Sequence, residues 1–265
     1  MLLFAIGIVI GAIGTMIGAG GGFLLVPILL FLYPTEAPEV ITAISLAVVF
    51  CNALAGSIAY IRRGRVDFQS AWPFTVISLP GALLGTWVTR WISRGSFDLL
   101  FGLLMVGAGL YLFLKRRPDE TSKAIGRPSV QRQIITKDGH TFIYAYDSRV
   151  GLWISSGVGF ISSFFGIGGG IIHVPAMVHL LAFPVHIATA TSHFILAWVS
   201  LSATLIHALN GSLSPGLDRL LFLAPGVLIG APLGARLSDK LSGQWILRGL
   251  ALGLLAVGLR LVLLR

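Results

Sequence analysis

Charged residues are scarce in this chain. Only 11% of its 265 residues are Asp, Glu, Lys or Arg, whereas 55% are hydrophobic. A soluble domain typically carries about 25% charged residues. The composition therefore excludes a soluble globular domain and predicts an integral membrane protein. The ten carboxylates fit this prediction, because all of them lie in or beside predicted loops, where they avoid the cost of placing a charge at the centre of a membrane helix.

Cysteine and catalytic motifs are also nearly absent. Cys51 is the single cysteine, which excludes a disulfide framework and a cysteine-based zinc site. The motifs Gly-x-Ser-x-Gly, His-Glu-x-x-His and Gly-Lys-Ser/Thr do not occur. We therefore expect neither an enzyme nor a cofactor. An intramembrane hydrolase built from Ser192 and a distant histidine is the enzymatic alternative that stays open.

The positive charge of the chain predicts its orientation. The net charge is +9, but the cations flank apolar segments, as expected of a membrane protein rather than a nucleic-acid-binding one. The Arg62-Arg63-Gly64-Arg65 turn and the basic central loop are predicted to be cytoplasmic.

A glycine-rich stretch occurs twice. Gly18-Ala19-Gly20-Gly21-Gly22 returns as Gly166-Ile167-Gly168-Gly169-Gly170, and each copy is followed by a Val-Pro pair. Each glycine costs about 1 kcal/mol relative to alanine in a helix, so we expect a break in the backbone. Within lipid, a broken backbone is tolerated only inside protein or beside water. Paired broken segments in two halves are the best sequence indication of a transporter's binding site; the alternative is that the glycines only permit close helix packing.

The apolar segments follow the same order in both halves. They lie at 2–17, 23–33, 40–61, 72–91 and 97–114, and again at 151–165, 171–183, 187–209, 220–235 and 245–264. A spanning helix needs about 20 residues, so 23–33 and 171–183 are predicted to be half-helices. We predict an all-α membrane protein, a polytopic helical bundle of two homologous repeats. Each repeat opens with a glycine-broken re-entrant or hairpin unit, which three spanning helices follow.

The predicted domains are a first transmembrane repeat at 1–115, a cytoplasmic connecting loop at 116–149 and a second repeat at 150–265. Asp138-Gly139 predicts a short β-hairpin within the loop. The distribution of cations fits inverted and parallel repeats equally well. The shortness of the two half-helices favours inverted repeats.

The chemistry of the predicted site points to an anion. Helix N-termini that face a cavity offer unpaired N–H groups and about +0.5 of an elementary charge. Histidine and small hydroxyl side chains near the glycines would add hydrogen-bond donors, and His193 could also exchange a proton. For any one histidine, a structural role in helix packing is an equally good interpretation. We expect the substrate to be bound by Gly18, Gly20, Gly21, Gly22, Ser45, Gly166, Gly168, Gly169, Gly170, His173, Thr191, Ser192 and His193.

The second half carries a recognisable signature. Residues 163–175, SFFGIGGGIIHVP, and 183–194, FPVHIATATSHF, closely resemble the sulfite exporter TauE/SafE family of bacterial membrane transporters. The first glycine stretch and the Lys-Asp-Gly loop with Tyr144 and Tyr146 also resemble that family. The resemblance implies transport of sulfur-containing anions such as sulfite and organosulfonates, without ATP hydrolysis and with coupling to an ion gradient.

Together these patterns predict a secondary transporter in the bacterial cytoplasmic membrane. Its expected partners are a small anionic substrate, the lipid bilayer and a coupling proton or sodium ion, with no nucleic acid; an oligomer is compatible with the sequence. A passive anion channel is the alternative function, because broken helices could also line a pore.

Overall fold

The structure is a computed structural model that describes residues 1–114, 127–238 and 243–263. In the first half the helices are α1 Leu2–Ile17, α2 Gly22–Leu32, α3 Pro38–Ile61, α4 Phe68–Thr89 and α5 Arg94–Leu114. The strands β1 Val130–Ile135 and β2 Thr141–Tyr146 follow. In the second half the helices are α6 Ser148–Phe165, α7 Gly170–Leu180, α8 Val185–Leu209, α9 Leu217–Leu237 and α10 Gly243–Leu263. The predicted boundary at 115, the loop up to residue 126, and Asp239 lie outside the described residues.

The fold is mostly helical and strongly apolar, which confirms the predicted class of protein. Within the described residues, four helical segments are long and apolar enough to cross a membrane: Pro38–Ile61, Phe68–Thr89, Val185–Leu209 and Ser214–Leu237. The segments predicted to be half-helices form α2 and α7, and each has 11 residues. The repeat, its inversion, the number of spans per half and the domain division stay predictions.

The helices pack in close pairs through glycine. A Cβ atom built on Gly230 or Gly234 of α9 would lie 2.2 or 2.0 Å from a backbone oxygen of α1. The pair α4 and α6 is equally close, because a Cβ on Gly85 would lie 2.3 Å from the carbonyl oxygen of Phe160. Small residues of this kind let helix backbones approach each other in membranes.

One end of the bundle carries the β-hairpin, and we call it the hairpin face. β1 and β2 pair antiparallel, with Arg132 opposite Tyr144. The hairpin lies on the turn between α3 and α4, where the Lys137 N–H donates to the Arg63 carbonyl at 3.1 Å. It also contacts the turn between α7 and α8, because the ring of Tyr144 packs on Phe183 with centroids 4.4 Å apart.

The other end, which we call the opposite face, is held by arginines. Arg94 at the start of α5 donates to the carbonyls of Leu30 at 2.8 Å and Glu36 at 2.7 Å, close to the last turn of α2. Arg219 near the start of α9 forms an ion pair with Glu36. The end of α2 and the start of α9 therefore lie together on this face, away from the hairpin.

Candidate functional site

The two glycine stretches form two loops, one between α1 and α2 and the other between α6 and α7. Three glycines in each loop have φ between 70° and 82°. Residues with a Cβ rarely adopt this left-handed conformation, which explains why the loops are built of glycine. Gly18 ends α1 and Gly166 ends α6 as left-handed C-caps. The predicted break in the backbone is present in both places.

The two loops pack against each other at the centre of the bundle. A Cβ built on Gly170 would lie 2.2 Å from the carbonyl oxygen of Gly18, and one on Gly22 would lie 2.7 Å from the carbonyl oxygen of Ile167. The loops also rest on α3 and α8. A Cβ on Gly166 would meet the Cα of Thr42 at 2.9 Å, and one on Gly18 would meet the Cα of Thr189 at 2.9 Å. The N-termini of α2 and α7 are thereby brought together.

A small cavity lies at the second loop. It is lined by Ser78, Val158, Gly159, Gly168, Gly169, Gly170, His173, Ser192, Ile195, Leu196 and Val199. Its volume is about 10 Å³, which is room for roughly one water molecule. An anion the size of sulfite therefore needs a wider cavity than this conformation provides.

Several hydrogen-bond donors without partners lie at the start of α7, in or beside the cavity. The backbone N–H groups of Gly169, Gly170 and Ile171, at the start of α7, donate to no backbone carbonyl in the described part of the chain. The Oγ atoms of Ser192 and Ser162 are also buried without a hydrogen-bond partner. Ser192 lines the cavity, and a Cβ on Gly169 would lie 3.0 Å from the Ser162 Oγ. Such a group of donors at a helix N-terminus favours a negatively charged ligand.

His173 lines the same cavity one turn into α7. Its Nε2 atom is 3.0 Å from the Oγ of Ser155 in α6. Ser78 of α4 donates to the Ser155 carbonyl at 2.8 Å, so α4, α6 and α7 meet in one polar cluster. No pattern in the sequence indicates Ser78 or Ser155. Neither lies near a glycine stretch in sequence, and only the packing of α4 on α6 brings them to the site.

Two of the predicted ligands already have partners. The Ser45 Oγ donates to the Gly166 carbonyl at 2.6 Å, so it links α3 to the second loop. The Thr191 Oγ1 accepts a hydrogen bond from the Asp67 N–H at 3.1 Å, near the hairpin face. Ser45 and Thr191 therefore contact the framework around the cavity and do not line it.

His193 belongs to a different polar cluster, beside the first loop. Its Nε2 atom is 3.3 Å from the Thr15 Oγ1, and the Thr15 hydroxyl donates to the Asn52 Oδ1 at 3.0 Å. Asn52 in turn donates to the Gly20 carbonyl at 3.0 Å. The edge of the His193 ring meets the Tyr60 ring, with centroids 5.8 Å apart. The structure thus places His193 and Ser192, neighbours in α8, at two different loops.

One of the differences between the surroundings of the two loops is at the position of Asn52. When Ser45 is aligned with Ser192, Asn52 corresponds to Val199. Asn52 makes hydrogen bonds with Gly20 and Thr15, whereas Val199 has no polar atom to offer and lines the cavity. The four glycines of the first loop therefore do not line this cavity, whereas Gly168, Gly169 and Gly170 do.

A buried carboxylate anchors the hairpin to the bundle. Asp67, which caps α4, is only 2% exposed and accepts hydrogen bonds from the Ser70 N–H at 3.2 Å and the Tyr144 hydroxyl at 2.7 Å. Arg132 of β1 lies 3.7 Å from the same carboxylate. Burial raises the pKa of the Tyr144 hydroxyl well above its usual range, and the charge of Asp67 raises it further. The tyrosine therefore stays a hydrogen-bond donor at physiological pH.

The Asp67 site could not have been found from the pattern of charges. The residue lies beside a loop, as predicted for every carboxylate of the chain, and its burial depends on the docked hairpin. No group of three or more His, Cys, Asp or Glu side chains within 1–114, 127–238 and 243–263 could hold a metal ion.

Comparison with known proteins covers nearly the whole chain. The family model described as sulfite exporter TauE/SafE matches residues 3–261. The chain belongs to this family. The resemblance seen in residues 163–175 and 183–194 is thereby confirmed, and the TauE/SafE chain described here is a multi-pass membrane protein of a transporter family.

Curated relatives of this TauE/SafE protein have matching names. The probable membrane transporter protein YunE of Bacillus subtilis is 33% identical over 268 residues, which are 99% of this chain and 97% of the relative. A probable membrane transporter protein of Xylella fastidiosa is 29% identical over 91% of this chain and 86% of its own length. One of Methanocaldococcus jannaschii is 24% identical over 91% of this chain and 87% of its own length. No solved structure matches the chain.

Proposed function

We propose that this protein is a secondary transporter that moves a small sulfur-containing anion, such as sulfite or an organosulfonate, across the bacterial cytoplasmic membrane. The observation that carries the proposal is the cavity at the start of α7. Gly169 and Gly170, whose N–H groups donate to no backbone carbonyl in the described residues, line it together with Ser192, whose hydroxyl has no hydrogen-bond partner. The family adds the class of cargo, since its description names sulfite.

The lining of the cavity supports an anion over a cation. None of its lining residues is acidic, and a helix N-terminus carries a partial positive charge. Serine hydroxyls can donate to oxyanion oxygens, and hydrogen bonds to a charged group are roughly twice as strong as neutral ones. In this proposal, Gly168, Gly169, Gly170 and Ser192 bind the anion directly. His173, held by Ser155, closes the far side of the cavity.

In the same proposal, the two halves are inverted repeats with the binding site at their centre. Two sets of contacts support this. α1 runs beside α9 in the same direction, with Phe4 at Gly226 and Ala12 at Gly234, so its first residues point toward the start of α9 on the opposite face. The end of α2 lies on that face too, where Arg94 binds its carbonyls. α6 begins directly after β2, and the turn after α7 packs on Tyr144, so both lie on the hairpin face.

The positive charges support a cytoplasmic hairpin face. Arg62, Arg63 and Arg65 lie in the turn that receives the hairpin, and short cytoplasmic loops carry an excess of such residues. The opposite face would then be periplasmic or extracellular. The closed cavity requires the protein to open toward each face in turn, because the anion does not fit in this conformation.

His193 is proposed as the group that carries a coupling proton. Since the Thr15 hydroxyl donates to Asn52, the Nε2 of His193 is the donor to Thr15, and its Nδ1 is left to accept a proton. No hydrogen bond of normal geometry reaches Nδ1, although the Gly18 backbone interacts with the ring. A proton bound there would place a charge beside the first loop, next to the loop that binds the anion.

The test is transport by the purified protein in liposomes. Uptake of labelled sulfite, sulfate and short organosulfonates is measured with and without an imposed proton gradient, and in a parallel series with a sodium gradient. Accumulation of a sulfur anion against its concentration gradient, lost in Ser192→Ala, is the expected result. Passive equilibration of several anions would indicate a channel instead, and absence of movement for all of them would contradict the proposed cargo.

A further inference from the structure

The carboxylate of Asp67 connects the hairpin to the membrane helices. It lies at the start of α4 and accepts hydrogen bonds from Ser70 on its own helix and from the Tyr144 hydroxyl on β2. Arg132 on β1 faces it at 3.7 Å. Because a buried carboxylate is costly without such partners, the presence of the hairpin and the position of Asp67 depend on each other.

The backbone of Asp67 extends this connection to α8. Its N–H donates to the Oγ1 of Thr191 at 3.1 Å. Thr191 directly precedes Ser192, which lines the cavity. α4 contributes Ser78 to the same cavity. The hydrogen bond between Asp67 and Thr191 therefore joins two helices that form walls of the binding site.

The hairpin holds α8 at a second point as well. The rings of Tyr144 and Tyr146 pack on Phe183, in the turn that leads into α8, with centroids 4.4 and 5.0 Å apart. Tyr146 also shares a hydrogen bond of 2.6 Å with the Ser70 Oγ. The hairpin thus bridges the beginning of α4 and the beginning of α8 on one face of the bundle.

We propose that Asp67, Tyr144 and Thr191 are positioning residues that fix the separation of α4 and α8 and thereby the width of the cavity. A segment that only linked the two halves would not need a β-hairpin. In this proposal the hairpin acts as a brace that holds the walls of the binding site in place. This inference rests on the proposed function, because it assigns the brace to the cavity in which the anion would bind. It requires that loosening the brace widens the cavity and makes the conformation that admits the anion more populated.

The experiment measures cavity access without any substrate. Cys51→Ala removes the single cysteine of the chain, and Val158→Cys then places one thiol in the cavity wall. Labelling of that thiol by a small charged thiosulfonate reagent is timed in the purified full-length protein.

Thr191→Val removes the acceptor for the Asp67 N–H, whereas its matched control, Thr191→Ser, keeps it. Tyr144→Phe removes the hydroxyl that reaches Asp67, and Tyr33→Phe removes a hydroxyl on the opposite face.

We expect Thr191→Val and Tyr144→Phe to label about three- to tenfold faster than the parent chain, which is the range that corresponds to the loss of one hydrogen bond. Thr191→Ser and Tyr33→Phe should label at the parent rate. In transport assays on the native-cysteine chain, the first two variants should lower KM for the anion, because the conformation that admits it becomes more populated.

Equal labelling of Thr191→Val and Thr191→Ser would overturn the positioning role, and so would acceleration by Tyr33→Phe as large as that by Tyr144→Phe. Melting temperatures of all variants identify any chain that has simply lost its fold; if Thr191→Val is such a chain, the pair Tyr144→Phe and Tyr33→Phe decides. The labelling pattern needs no anion. If the variants label faster but the protein transports no sulfur anion, only the proposed function is contradicted. If the protein transports such an anion but the variants label at the parent rate, only the bracing role is contradicted.

Discussion

Gly170 and Gly18 are in direct backbone contact across the centre of the bundle: a Cβ atom on Gly170 would lie 2.2 Å from the Gly18 carbonyl oxygen. Gly22 stands in the same relation to Gly166, where the corresponding distance is 2.8 Å. Each glycine loop therefore forms part of the wall of the other. The N-termini of α2 and α7 can approach each other only because neither loop has side chains at these positions.

Gly170→Ala is expected to destabilise the protein. The added methyl group meets backbone atoms, which cannot move aside as a flexible side chain could, and overpacking of this kind costs about 1–3 kcal/mol or more. Gly157→Ala in α6 is the matched control, because a Cβ there has open space and alanine is favoured in a helix by up to about 1 kcal/mol. Thermal unfolding in detergent compares the two; a melting temperature of Gly170→Ala equal to that of the parent would contradict the close contact.

Substitutions of Ser192 and Ser45 are expected to have different effects, the first on anion binding and the second on protein stability. The Ser192 hydroxyl has no partner in the protein, so Ser192→Ala should preserve the melting temperature while it raises KM for the anion about tenfold or more, the effect of losing a hydrogen bond to a charged group. The Ser45 hydroxyl donates to Gly166, so Ser45→Ala should lower stability by about 1 kcal/mol. Transport kinetics and unfolding of both variants are measured side by side. The assignment fails if the two variants have the same effects.

His193→Gln is expected to flatten the dependence of transport on an imposed proton gradient. Glutamine can donate to Thr15, as the Nε2 of His193 does, but it cannot take up a proton. His140→Gln, in the exposed turn of the hairpin, is the matched control and should retain the dependence. The measurement is the initial rate of anion transport at several pH gradients. A profile of His193→Gln that matches the parent would return His193 to a packing role.

The stabilisation that the buried Tyr144 hydroxyl provides is expected to decline at alkaline pH. Burial and the charge of Asp67 raise the pKa of the folded hydroxyl, whereas in the unfolded chain the value is about 10. The stabilisation is therefore fully present below about pH 10 and declines above it, because only the unfolded state then loses the proton readily. The melting temperature of the parent should fall more steeply between pH 9 and 11, in round values, than that of Tyr144→Phe. Parallel curves would show that Tyr144 is not buried against a carboxylate.

Composition and the duplicated glycines predict much of this molecule. The scarcity of charge predicts a helical membrane protein, and the glycines predict the two breaks after Ile17 and Phe165. The reason is local: only glycine readily adopts the left-handed backbone that these loops require. The resemblance of residues 163–175 to TauE/SafE proteins predicts the family, and the family match confirms it.

The composition of the cavity could not be predicted in the same way. Ser78 lines it, and Ser155 contacts the lining residue His173, only because α4 packs on α6, which no sequence motif predicts. Ser192 and His193 are neighbours, yet they face different loops because successive residues of a helix point about 100° apart. The roles of Ser45 and Thr191 depend on partners far away in sequence, at Gly166 and Asp67.

The contrast between Asn52 and Val199 bears on how much cargo one chain can carry. The Asn52 amide donates to the Gly20 carbonyl of the first loop, whereas beside the second loop the corresponding residue is the apolar Val199 and the Ser192 hydroxyl has no partner. We therefore expect a stoichiometry of one anion per chain in each cycle, even though the glycine stretch occurs twice. The coupling proton would bind at His193 beside the first loop, and the anion would bind at the second loop.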